Sequence, residues 1–271
     1  MHGMGDSCFN RGMESITEES GAYLNVYSTC IPTGDTRGED TMNGFFMSMD
    51  DSVDVMAEKV RADPNLAHGF HCVGLSQGNN LCRGYIQQYN DPVVHTHLSI
   101  HGPVVGVAAL PRCGNNKGGG LCESISDMLS KLAYTERLQD GLFQAGYFRD
   151  VNFLSNDSYL KWSEIGRWNN EGEAGVSQDI KANFAKTSAF AMVQALGDTV
   201  VVPREGEWFG AYADGDYSTL LVMNETTWYK EDTFGLRSAD EAGKIHFEST
   251  EGNHLDFTDD ELYTWLDKYC T

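Results

Sequence analysis

The chain is short of positive charge. Its 271 residues carry 19 Lys and Arg against 40 Asp and Glu, a net charge of −21 with His neutral. Such a surface repels phosphate backbones, and no basic stretch is interleaved with aromatics, so nucleic acid is not an expected partner. Long apolar runs are missing as well. None reaches the ~18 uncharged residues that a membrane span requires, so no transmembrane segment is expected and the protein reads as soluble. The first residues lack the charged leader and apolar h-region of a signal peptide. Cysteine spacing of the zinc-binding kind, internal repeats and disordered tails are also absent. What remains is a chain long enough for one large core, read as a single α/β domain over 1–271.

What is present centres on one pentapeptide, Gly74-Leu-Ser-Gln-Gly78. A G-x-S-x-G run between a short apolar strand and a helix drives the backbone through a turn so sharp that side chains at the flanking positions clash, and it lifts the serine hydroxyl clear of the sheet. His68 to Gly74 supplies such a strand. Asn80 to Tyr89 follows it, with Leu81, Tyr85, Ile86 and Tyr89 spaced along one helical face. Ser76 is therefore the candidate nucleophile.

A serine hydroxyl needs a histidine to take its proton and an acid to orient that histidine; on this scaffold the chain order is Ser, then Asp or Glu, then His. Only His246 and His254 come late enough. His246 lies in the alternating stretch Lys244 to Glu248 and reads as an ordinary strand residue. His254 follows that stretch in a small-residue loop, ahead of a helix announced by a Thr258 and Glu261 capping box. His254 is the candidate base. The buried run Ser188 to Leu196 is followed at once by Gly197-Asp198, which makes Asp198 the candidate acid, with Glu205 and Asp214 as weaker ones. An oxyanion hole needs backbone N–H groups aimed at the developing charge. Gln77 supplies one, and the glycine loop His2 to Cys8 supplies Met4 as the other.

Val53, Met56 and Val60 mark an amphipathic helix over 44–62. After Leu98 to Ile100, residues 103–187 lose the strand–helix alternation and read as a helical cap over the nucleophile. Met128, Leu129, Leu132, Leu142, Phe143, Tyr147 and Phe148 are candidate lining residues. Seven cysteines cannot all pair internally. Cys113 and Cys122 flank a flexible glycine-rich loop that a disulfide can close; the other five, Cys8, Cys30, Cys72, Cys82 and Cys270, can be buried thiols, and the sequence leaves their state open. Asn156 and Asn224 begin N-x-S/T tripeptides, compatible with a secreted or lysosomal glycoprotein.

Together, His2-Gly-Met-Gly-Asp-Ser-Cys8, Gly74-Leu-Ser-Gln-Gly78, Leu110-Pro-Arg-Cys113, Glu207-Trp-Phe-Gly210, Asn224-Glu-Thr-Thr227 and Thr250-Glu-Gly-Asn-His-Leu255 resemble the lysosomal palmitoyl-protein thioesterase family nearly end to end. The resemblance implies an α/β-hydrolase that removes fatty acyl groups from protein cysteines without a cofactor or metal. Its nucleophile, acid and base fall on Ser76, Asp198 and His254, its oxyanion donors on Met4 and Gln77, and one of its disulfides on Cys113 and Cys122. Four departures stand out. The family's paired cysteines after the oxyanion loop are Cys8-Phe9 here, and a second family disulfide near Met56 and Tyr89 has lost both partners. His101 to Gly106 replaces a glycine-glutamine-histidine segment. The apolar strand expected ahead of the oxyanion loop would end at Met1, so the sequence is read as either truncated or lacking that strand. The other readings are a lipase or esterase acting on oxygen esters, and a non-catalytic lipid-binding protein of the same fold.

Overall fold

The computed structural model describes residues 1–109, 125, 128–129, 131–172 and 177–271. Its centre is a parallel sheet in the order β1 (Phe70–Leu75), β2 (Val94–Ile100), β3 (Ala189–Ala195), β6 (Ile245–Thr250). Two further strands, β4 (Ala211–Ala213) and β5 (Asp216–Leu221), form a separate antiparallel pair.

Alternation along the strands builds the core on both faces of the sheet, as a parallel sheet covered by helices requires. In β3, Phe190 and Met192 pack towards α3 (Met49–Ala62) and α4 (Gly78–Gln88), while Ala191 and Val193 face the opposite way. There they meet Met13 of α1 (Arg11–Leu24) and Leu262, Trp265 and Leu266 of the last helix, Asp259–Tyr269. Between β2 and β3 the chain forms short helices, at Glu136–Gln139, Phe143–Gly146, Asp157–Trp162 and Glu164–Trp168, and then the longer Gln178–Lys186.

The helix expected over 44–62 is two. α2 (Arg37–Phe46) ends at Met47, and α3 begins afresh at Ser48, whose side chain accepts the Asp51 N–H. A serine that satisfies an orphan donor makes a new start cheaper than continuing one helix through Met47 and Ser48. Four of the five cysteines whose state the sequence leaves open are oxidised: Cys8 pairs with Cys30 and Cys72 with Cys82. The Cys30 pairing ties the loop after α1 to the N-terminal segment, and the second bond ties β1 to α4. Cys270 is a buried thiol, its pKa pushed up to about 12 by burial. Cys113 and Cys122 lie outside the described residues. Among the described residues no helix is long and apolar enough to cross a membrane.

The outer edge of β1 is met by Met1, whose ammonium donates to the Val73 carbonyl at 2.7 Å and whose carbonyl accepts the Leu75 N–H at 3.0 Å. Beside it runs an apolar groove of about 350 Å³ between α1, β1 and the last helix.

The last helix follows the loop that carries His254, and its start is fixed by the expected capping box. Thr258 Oγ1 accepts the Glu261 N–H at 3.2 Å, and Glu261 accepts the Thr258 N–H at 2.8 Å. Thr258→Ala removes one half of that exchange. We expect a stability loss of about 1 kcal/mol, read as a lower urea midpoint at unchanged slope; an unmoved midpoint contradicts it.

Candidate active site

Ser76 sits between β1 and α4 with φ of +52°, a left-handed conformation that a non-glycine residue adopts at a cost. Its N–H donates to the Ile100 carbonyl at 3.0 Å, which straps the turn to the end of β2. The Asn79 amide donates to the carbonyls of Ser76 and Ile100 at 3.0 and 3.1 Å. Asn79 Oδ1 in turn accepts from His97 Nε2 at 3.2 Å. Burial, helped by the nearby Arg83 charge, pushes His97 down to about 3, so its ring is neutral. Gly78 is required by close approach: a Cβ there would lie 2.5 and 2.6 Å from the carbonyl oxygens of Met1 and His2.

The structure brings Ser76, His254 and Asp198 into one line. Ser76 Oγ lies 2.7 Å from His254 Nε2, and His254 Nδ1 lies 2.6 Å from Asp198 Oδ2. Since Asp198 only accepts when ionised, Nδ1 carries the proton and Nε2 is free to accept the serine hydroxyl's. Burial alone would raise the Asp198 pKa. Hydrogen bonds from the His254 ring and from the Val200 N–H outweigh it and hold the carboxyl well below the usual range. The loops carrying the acid and the base are laced together. Leu196 N–H donates to Thr250, Gly197 N–H to Gly252, and Thr199 N–H to the Asn253 side chain at 3.1 Å.

Among the described residues neither weaker acid candidate bonds to this line. Glu205 pairs with Arg204 at 3.5 Å, and Asp214 is exposed in the turn between β4 and β5. His246 is a β6 residue whose ring lies tilted against that of Tyr269.

Met4 and Ser76 line one small cavity of about 20 Å³ together with Pro103, Val107, Tyr147, Val200 and Val201. Gly3 explains the closeness: a Cβ there would sit 3.2 Å from Ser76 Cβ and 3.3 Å from the Leu75 carbonyl. Among the described residues neither the Met4 nor the Gln77 N–H donates to a protein acceptor. Gln77's side chain is fixed instead. It donates to the Gly44 carbonyl at 2.9 Å and accepts from Gln144 at 2.8 Å and Tyr147 at 3.2 Å, joining the turn to the segment between β2 and β3. Of the expected lining residues, Tyr147 borders the cavity, Leu129, Leu142, Phe143 and Phe148 are core, Met128 is packed against the core, and Leu132 is half exposed.

Two supports were not anticipated from sequence. Buried Asp40, on α2, holds the N-terminal loop. It accepts from the Cys8 N–H and Ser7 hydroxyl at 2.9 Å each and from the Thr33 N–H at 2.6 Å, and it pairs with His2 at 3.2 Å. Burial raises its pKa, and these donors, His2 foremost, overcome that and hold it far below the ordinary value. His101, in the segment that departs from the family pattern, accepts the Leu255 N–H at 2.8 Å on Nδ1 and meets Thr250 Oγ1 at 3.1 Å on Nε2. Burial and the neighbouring His254 push it down to about 4. It is thus a neutral brace under the His254 loop. A lone His or Asp in a sequence carries no mark of such a role.

Two donor groupings among the described residues are compact enough to suit a cation: His2, Cys8 and Asp40, and Asp198, Glu207 and His254. In the first the sulfur is spent on a disulfide, and in the second both imidazole nitrogens are hydrogen-bonded.

A parallel sheet with a serine at the strand-to-helix turn, and with aspartate and histidine on loops after later strands, defines an α/β-hydrolase. Within that class the chain belongs to the palmitoyl protein thioesterase family, whose sequence profile matches residues 1–254. It is 33% identical over 260 residues to palmitoyl-protein thioesterase 1 of Caenorhabditis elegans, covering 94% of this chain and 84% of that protein. It is 31% identical over 220 residues to palmitoyl-protein thioesterase 3 of Dictyostelium discoideum, covering 81% and 73%. The lysosomal thioesterase PPT2-B of Xenopus laevis is 26% identical over 185 residues, covering 68% and 62%.

Asp40→Ala should strand the Cys8 and Thr33 N–H groups and free the Met4 loop, costing roughly 3 kcal/mol at neutral pH. A folded carboxyl held below its unfolded pKa stabilises fully above the ordinary aspartate range and loses that effect as pH falls through the folded value. The gap between wild type and variant in urea unfolding should therefore narrow in strong acid. A neutral-pH loss under about 1 kcal/mol contradicts the assignment.

Proposed function

We propose that the protein is a serine thioesterase that hydrolyses long-chain acyl thioesters on cysteines of proteins or peptides. The observation that carries the mechanism is the hydrogen-bonded line from Ser76 through His254 to Asp198, with bonds of 2.7 and 2.6 Å. Ser76 Oγ attacks the thioester carbonyl while His254 Nε2 takes its proton. Asp198, ionised even in acid, holds the ring in the tautomer this requires and stabilises the imidazolium. The Met4 and Gln77 N–H groups receive the negative charge on the carbonyl oxygen. Collapse breaks the carbon–sulfur bond, and the proton on His254 leaves with the thiol. Water, activated by the same imidazole, then attacks the acyl-enzyme and releases the fatty acid, restoring Ser76. No cofactor enters these steps.

The substrate class rests on family membership and on the names of the relatives. The segment 103–187 acts as a cap, a role supported by Tyr147 beside Ser76 and by the bond from Gln144 to Gln77. A secreted or lysosomal site of action is supported by the Xenopus relative's name, by two disulfides, and by the exposure of Asn156 and Asn224, the candidate glycosylation sites. In an acidic lumen the net charge of −21 shrinks as carboxylates protonate, which eases approach to anionic membranes bearing acylated proteins.

Ser76→Ala should fold normally and lose several orders of magnitude in palmitoyl-thioester hydrolysis. Retention of most activity by pure variant sinks the mechanism.

A thiol with pKa of about 8.5 leaves far more readily than an alcohol, so His254 matters chiefly as a base and little as an acid. We expect a palmitoyl thioester to be preferred over the matched oxygen ester in kcat/KM across the pH range. Preference for the oxygen ester across the pH range would favour a lipase instead.

A further inference from the structure

Behind Asp198 lies a second carboxyl group that the mechanism above does not use. Glu207 belongs to the 3₁₀ turn Arg204–Trp208 and is completely buried. Its Oε2 accepts the Ala195 N–H at 2.7 Å, at the end of β3. Its Oε1 is buried without a donor among the described residues. An oxygen of each carboxyl group and a ring nitrogen of His254 all lie within 4.8 Å of one another. Two ionised carboxylates in such a dry contact would repel strongly. One proton shared along the contact turns that repulsion into a hydrogen bond.

The surroundings decide which group holds the proton. Asp198 is offered the Val200 and Val201 N–H groups at 2.6 and 3.0 Å, plus the His254 ring at 2.6 Å, all of which favour its anion. Glu207 is offered a single backbone N–H. The proton therefore resides on Glu207.

We propose that Glu207 is a positioning residue for the hydrolysis, a neutral carboxylic acid whose O–H donates to Asp198 and so fixes the carboxylate that orients His254. Burial, then the contact with Asp198, pushes the Glu207 pKa up to about 11, consistent with a group that stays protonated at any working pH. Its neutrality has a function. An ionised Glu207 would add a second negative charge behind the imidazole, hold its proton more tightly and weaken it as a base at low pH; a protonated one orients Asp198 without that effect. The bond to Ala195 locks the 3₁₀ turn to the end of β3, so donor and acceptor keep their spacing.

The inference rests on the acyl-enzyme reading, and its test separates the two. Glu207→Gln preserves the shape, a donor towards Asp198 and an acceptor for Ala195; Glu207→Met preserves volume alone. The other charged or titratable groups near the pair are unchanged in both: Glu205 with its partner Arg204 on the same turn, His101 at the end of β2, and Asp256 and Glu261 after β6. The measurement is the pH profile of kcat/KM on a palmitoyl thioester, with Ser76→Ala as reference, joined to the infrared difference spectrum of wild type against Glu207→Gln.

With Met, Asp198 lacks one donor and its charge is concentrated towards His254. Activity should fall about tenfold or more and the acid limb should move to higher pH. Gln should rescue most of the activity and return the limb to its wild-type position, and the difference spectrum should show the loss of a protonated carboxylic acid band. A limb that moves to lower pH in Glu207→Gln means a negative charge was removed, and this overturns the proposal. So does the absence of the carboxylic acid band, which decides the matter even if the Met variant fails to fold, and so does a Met variant equal to wild type. Persistent activity in Ser76→Ala would instead overturn the acyl-enzyme reading beneath it.

Discussion

The left-handed turn at Ser76 is the constraint on which the rest of the structure depends. A non-glycine residue at φ of +52° persists only where its surroundings over-determine it. Here they do so from three sides: the Ile100 carbonyl accepts its N–H, Asn79 clamps the carbonyls on either side of the turn, and the N-terminal residues press against Gly78 so closely that no Cβ fits. The Cys72–Cys82 bond closes the strand and helix around the same turn. The hydroxyl is thereby held at the end of the sheet where the Asp198 and His254 loops arrive.

One rule sorts the buried ionisable groups around that turn. Burial pushes each towards its neutral form, and only those given several hydrogen-bond donors keep their charge. Asp198 and Asp40 have such donors and stay ionised, one orienting the base and the other holding the loop that carries Met4. His97 and His101 are left neutral, as braces under the turn and under the His254 loop. Glu164 follows the same rule. With the Met49 and Asp50 N–H groups as donors, it is still pushed up to about 8 by burial and by the charge of Asp50.

The parts of this site that were legible in the sequence are those encoded locally. The pentapeptide at Ser76 dictates its own turn, the capping box at Thr258 fixes where the His254 loop must end, and chain order left few acids for Asp198. The break at Ser48 was hidden because the apolar spacing of Val53, Met56 and Val60 carries no information about the helix's first turn. The Cys8–Cys30 and Cys72–Cys82 pairings were hidden because they depend on which loops meet in space, not on spacing. Glu207 was the least legible. It opens the Glu207-Trp-Phe-Gly210 run that carries the resemblance, yet nothing in that run assigns its carboxyl a role, and only the packing of the turn against β3 reveals that it has lost contact with water. His101 and Asp40 were missed for the same reason.

The central claim is that a single serine, activated by this geometry, forms a covalent acyl intermediate. It is tested most directly by reacting the intact protein with a fluorophosphonate, which captures only an activated nucleophile, and mapping the modified peptide by mass spectrometry. The account predicts one adduct, on Ser76. An adduct on another residue, or none on a folded protein that still hydrolyses a palmitoyl thioester, would contradict it.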